Sequence, residues 1–282
     1  MRKIAILPAL LTLGNGICGF AAIAIASRIG NNEFSAEGAS YFSAAGWLIL
    51  LAMVFDMLDG HVARLSRTAS KFGGELDSLC DAVSFGVAPA FMLLKMGPGW
   101  EPSPPLHQLV IGIAALYMSC TLLRLARFNV DNTPDPASHK RFKGLPSPGA
   151  AGCLATLAIF RGSFPNLAEI YRLDIAREDL AHFAQRAVEA VSPLVALVVA
   201  LLMVSRVPYP HVTKQIFKGK RHVGHLIQVL LTLFIFVMIR QVALLIVFWG
   251  YALGVPLWVM LNKNVRAPME TANQIHIGEP PL

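Results

Sequence analysis

Residues 56–81 read DMLDGHVARLSRTASKFGGELDSLCD. The stretch carries the carboxylates Asp56, Asp59, Asp77 and Asp81, and Arg64 stands between the two pairs. The segments on either side, 41–55 and 82–96, are apolar enough to lie in a membrane. An acid at the end of a membrane helix is costly and marks a functional site by default. Several together repel one another unless something positive sits between them. On a helix, Asp56, Asp59, Gly60, Ala63 and Arg64 fall at i, i+3, i+4, i+7 and i+8, which is one face. Asp77 and Asp81 fall at i and i+4. Gly73 and Gly74 are expected to break the helix between the pairs, with Arg67 and Lys71 keeping the link at the water surface. Two helices joined this way aim four acids at one point. Carboxylate oxygens suit hard cations such as Mg2+ or Mn2+, and four of them match a two-metal site for phosphoryl transfer. Gly60 and Ala63 lack bulk, so a ligand can approach the backbone there, and Arg64 can grip a phosphate in a bidentate pair.

The rest of the chain supports a membrane setting. Of 282 residues, 55% are hydrophobic and only 15% are charged. That balance is too apolar for an average soluble domain. The net charge of +7 fits an anionic lipid surface better than nucleic acid, given the apolar spans. Cys18, Cys80, Cys120 and Cys153 lie in apolar stretches without paired spacing, which reads as small hydrophobes and not as a zinc site or a disulfide frame. The N-terminal apolar run follows Arg2 and Lys3 but has no convincing cleavage site, so it is expected to be a retained first span.

A span needs about 20 mostly apolar residues. About eight candidates follow: 8–27, 41–63, 75–96, 106–127, 147–163, 184–205, 224–240 and 241–261. The expected fold is an all-α polytopic membrane helical bundle. It forms one catalytic domain over 1–266, followed by a polar, disordered tail at 267–282. With both termini cytoplasmic, most of the 24 Lys and Arg residues fall on the inner side, as the positive-inside rule asks. The acids then face the cytoplasm. Loops 30–38 and 162–182 become outer connections, the second long enough for a short interfacial helix. Asn15 in the first span either bonds across helices or lines the polar cavity. Arg124 and Arg127 share a face at i, i+3, and Lys143 follows in a basic loop.

The eight fixed positions Asp56, Asp59, Gly60, Ala63, Arg64, Gly73, Asp77 and Asp81 resemble the signature D-x2-D-G-x2-A-R-x8-G-x3-D-x3-D of the CDP-alcohol phosphatidyltransferases. The runs DSLCDAVSFGVAPA (77–90) and FKGLPSPGAA (142–151) resemble that family's phosphatidylserine synthase branch. The resemblance covers roughly residues 1–220. It implies an integral membrane enzyme, in the cell (inner) membrane, that displaces CMP from CDP-diacylglycerol with the hydroxyl of L-serine. Asp56, Asp59, Asp77 and Asp81 would hold two divalent metals, Mg2+ or Mn2+. Asp56, Gly60, Ala63, Arg64 and Gly73 would frame the CDP moiety, and Asp81 would act as general base. A homodimer among membrane lipids is implied as well.

The serine carboxylate calls for a cation near the acids. Arg127 and Lys143 are the first candidates and Arg124 the next. The signature does not separate serine from glycerol-3-phosphate or inositol phosphate as acceptor, nor a diacyl from an archaeal ether-lipid donor. A cation transporter would explain the acids but leaves the glycines, Ala63 and Arg64 without a role.

Overall fold

A computed structural model describes residues 6–30, 36–66, 70–97, 104–131, 144–170, 177–205, 207, 209 and 240–261, and all regular structure among them is helical. Helix α1 spans Ile6–Ala26 and α2 spans Ala36–Leu65. Helix α3 (Lys71–Asp81) runs through a π-helical turn (Ala82–Val87) into α4 (Ala88–Met96). Then come α5 (Pro104–Asp131), α6 (Ser147–Ile170), α7 (Arg177–Val204) and α8 (Arg240–Leu261).

Six of these rods are long and apolar enough to cross a membrane: α1, α2, the joined α3–α4, α5, α7 and α8. The all-α membrane bundle read from the sequence is therefore the fold. Helix α6, over the expected span at 147–163, is not among the six, and the expected span at 224–240 lies outside the described residues, as does the tail. Helix α2 is 30 residues long, about 45 Å at 1.5 Å per residue. A bilayer core is only about 30 Å thick. One end of α2 must therefore reach the headgroup region, and the acids stand in its last three turns.

Three expectations need correction. Helix α2 begins at Ala36, so 36–38 are helical and not part of a loop. Helix α6 runs on to Ile170 and α7 starts at Arg177, so most of the supposed outer loop at 162–182 is helix. Gly73 and Gly74 do not break anything, because they sit in the first turn of α3. That helix starts one residue after Ser70, an extended N-cap whose hydroxyl accepts the Gly73 N–H at 3.0 Å. The cap satisfies an otherwise orphaned donor, which lets two glycines tolerate a helical first turn.

Helix α6 lies at the centre. From Ala150 to Ser163 nearly every side chain is buried. Its run of Gly, Ala and Cys keeps it thin, so neighbours approach closely. A Cβ placed on Gly46 of α2 would lie 2.6 Å from the Ala155 carbonyl of α6. Gly144, at φ +92°, turns the chain into α6. Its N–H donates to Val207 O at 2.8 Å, and Leu145 N–H donates to Leu202 O at 3.0 Å. These bonds fix the start of α6 against the end of α7. Outward faces of α1 and α8 expose Leu10, Ile17, Phe20, Val247 and Trp258, as lipid-facing surfaces should.

Candidate active site

The helical period does the first part of the assembly. Asp56 and Asp59 lie one turn apart on α2, and the link through Ser70 folds α3 back so that Asp77 meets them. One carboxylate oxygen from each of Asp56, Asp59 and Asp77 lies within 4.8 Å of the others. Asp59 is 4% exposed and the other two are half-buried. At that spacing, like charges repel by about 3 kcal/mol per pair at an effective dielectric constant of 20. Among the described residues, Asp59 Oδ2 and Asp77 Oδ1 are buried without a hydrogen-bond partner. Buried polar atoms are seldom left so. An all-oxygen donor set with orphaned, mutually repelling acceptors fits a hard divalent cation.

Asp81 has a contact of its own. It lies one turn beyond Asp77, is 8% exposed, and accepts a 2.8 Å hydrogen bond from Asn15 Nδ2 of α1. Asn15 itself is fully buried. Its backbone carbonyl accepts the Ser84 hydroxyl at 2.9 Å, so α1 is bonded both to Asp81 and to the π-helical turn that follows. The helices meet there almost backbone to backbone. A Cβ on Gly19 would lie 2.7 Å from Ser84 Cα, and one on Gly16 would lie 3.0 Å from Cys80 Sγ. The wide π-helical turn is secured from the other side, where Tyr117 of α5 donates its hydroxyl to Phe85 O at 3.0 Å. Such turns recur at functional sites. Nothing in the local sequence announces this one.

The remaining predicted residues divide clearly. Gly60 faces open space, since a Cβ there would meet only the Arg64 guanidinium, at 3.7 Å from Nη1. Arg64 is exposed at the end of α2 and Ala63 is half-buried. A free volume beside a guanidinium and next to the acid trio suits a phosphate-bearing ligand. Arg124 of α5 is half-buried. Its Nη1 donates to Ser147 Oγ, at the start of α6, at 2.8 Å. Arg127 is exposed, and Lys143 lies outside the described residues, as does Arg67. Gly73 lies in the capped turn of α3.

Two contacts escaped the sequence reading. Asn129 Nδ2 donates to Ser78 Oγ at 2.9 Å, which ties α3 to the end of α5 beside the acids. The specific Asn15–Asp81 pair is the other. The polar residues themselves were visible in apolar surroundings, but their partners are 51 and 66 residues away.

The family model described as CDP-alcohol phosphatidyltransferase matches residues 5–256. The chain is similar to a CDP-diacylglycerol–serine O-phosphatidyltransferase of Helicobacter pylori, at 32% identity over 80% of this chain and 86% of the relative. It is similar to one of Methanocaldococcus jannaschii at 33% identity, over 77% and 80%. It is also similar to one of Saccharomyces cerevisiae at 39% identity, over 54% and 51%.

Proposed function

This chain belongs to the CDP-alcohol phosphatidyltransferase family, and from that premise we propose that it transfers the phosphatidyl group of CDP-diacylglycerol to the hydroxyl of L-serine. CMP and phosphatidylserine are the products. The observation that carries the reading is the convergence of Asp56, Asp59 and Asp77 beside the open space at Gly60 and Arg64. The relatives' names supply the acceptor.

Each residue then has a task. Asp56, Asp59 and Asp77 would hold divalent cations, Mg2+ or Mn2+, with Asp81 at the edge of the set. When bound, these would neutralise pyrophosphate charge. Asp56, Gly60, Ala63, Arg64 and Gly73 frame the CDP moiety. Arg64 pairs with its phosphates, while Gly60 and Ala63 leave room for the nucleotide. Asp81 takes the proton from the serine hydroxyl, a poor nucleophile at neutral pH. The serine oxygen bonds to the β-phosphorus, the bond to the CMP oxygen breaks, and CMP leaves with that electron pair. The lipid tails stay in the bilayer throughout.

For the serine carboxylate, Arg124 is favoured over Arg127. Its guanidinium is half-buried and braced by Ser147, where that of Arg127 is exposed. Lys143, three residues before Pro146 and the α6 start, remains a further candidate. We place the site at the cytoplasmic face of the cell membrane, on the asymmetry of Lys and Arg. We also read the protein as a homodimer, which cross-linking in native membranes would test.

The test is acceptor choice. Purified protein in CDP-diacylglycerol micelles with Mn2+ should release CMP with L-serine and form phosphatidylserine. Glycerol-3-phosphate and inositol phosphate should not replace it. CMP release with either of those instead would move the protein to another branch. Metal-independent cation flux without CMP release would remove it from this chemistry.

A further inference from the structure

The signature treats its four aspartates as one set, but one of them carries a contact from outside the signature. Asn15 contributes a full amide to the interior of α1, where it is 0% exposed. Burying an amide is costly unless it is hydrogen-bonded, and here it is spent on a single carboxylate. Asn15 Nδ2 occupies Asp81 Oδ1 at 2.8 Å. The amide has little freedom to move. Its own backbone carbonyl is bonded by Ser84, and the flanking glycines, Gly16 and Gly19, press α1 onto Cys80 and Ser84. Both anchors lie within three residues of Asp81, so Asn15 and Asp81 are fixed to the same patch of backbone.

We infer that Asn15 is a positioning residue for Asp81. It holds one carboxylate oxygen by hydrogen bonding and leaves the other oxygen to face the incoming hydroxyl. Charge-assisted hydrogen bonds are the strong ones, so one amide suffices to hold the side chain. The inference rests on the proposed reaction for the task of Asp81, but not for the contact itself.

The test compares wild-type protein with Asn15→Leu, which keeps the branched shape and removes the amide. Asn15→Ser, smaller and still polar, covers the case in which leucine does not fold. Each is assayed with whichever acceptor the wild type turns over, so a wrong choice of acceptor would sink the reading above and leave this test standing. Mn2+ binding is measured in parallel by electron paramagnetic resonance. The expected result is a kcat lower by about 100-fold, the scale of a misplaced general base. KM for the CDP-lipid and the acceptor, and Mn2+ affinity, should stay within about threefold of the wild type. A kcat within tenfold of the wild type would overturn the inference. So would a loss of Mn2+ binding or a rise in KM alongside the loss of kcat, since Asn15 would then be holding the helices together and not Asp81.

Discussion

Helix α2 carries a polar corner at each end, and the two use charge in opposite ways. Near its start, Phe42 lies under Arg161 of α6, with the guanidinium 4.2 Å from the ring centre. Arg161 is 2% exposed and donates Nη1 to Met96 O, at the end of α4, at 3.3 Å. Close by in the chain, Lys95 donates to Ile29 O at 3.0 Å. These cations close helix ends, where carbonyls lack partners within the helix. At the other end, about 20 Å away along the helix, the acid trio leaves Asp59 Oδ2 and Asp77 Oδ1 unpartnered. A buried charge that closes on the protein's own backbone is structural. A buried cluster of one sign, whose members repel one another, is built for something else to complete.

Substitutions at the two corners should therefore fail in different ways. The largest effect is expected at the trio. Asp77→Asn should lower CMP release by about 10³-fold, the scale of losing an electrostatic stabiliser at a reacting centre. Thermal unfolding in detergent should shift upward or stay level, because repulsion within the apo site is relieved. A lowered midpoint would mean that the acids support the fold. Next comes Arg161→Met, which should cost about 2–4 kcal/mol of stability through the lost carbonyl contact and ring contact. The kcat/KM of the protein that remains folded should be unchanged. A loss of kcat/KM at full stability would make the two corners one coupled system.

Smaller effects grade the acid corner. Arg124→Ala should raise the serine KM by about tenfold, one step of 1.4 kcal/mol, with the CDP-lipid KM unmoved. An unaltered serine KM would return the carboxylate to Arg127 or Lys143. Gly60→Ala sharpens the contrast most, because its two effects have opposite signs. The added methyl meets only the Arg64 side chain, so the helix should gain up to about 1 kcal/mol. The same methyl enters the space assigned to the nucleotide, so the CDP-lipid KM should rise several-fold.

What the sequence disclosed follows from the range of each interaction. The acid corner was legible because it rests on helical period within 26 residues, and the membrane bundle because it rests on composition. Gly73 and Gly74 misled, since propensity places glycine outside helices while the Ser70 cap draws these two in. The Asn15–Asp81 contact was not legible. It depends on α1 packing against the π-helical turn, a contact with no local signature. The choice of Arg124 over its neighbour Arg127 depends likewise on where α6 begins. The Arg161 corner passed unnoticed because a lone arginine at the edge of a span reads as an anchor until its ring and its carbonyl are seen.

The central claim is that the trio is a cation seat. Mn2+ binding to the detergent-solubilised protein, followed by electron paramagnetic resonance, tests it most directly, with Asp59→Asn and Asp77→Asn beside the wild type. The account predicts saturable binding by the wild type, strengthened by CDP-diacylglycerol and lost in both variants. Equal binding by all three proteins, or binding indifferent to the CDP-lipid, would contradict it.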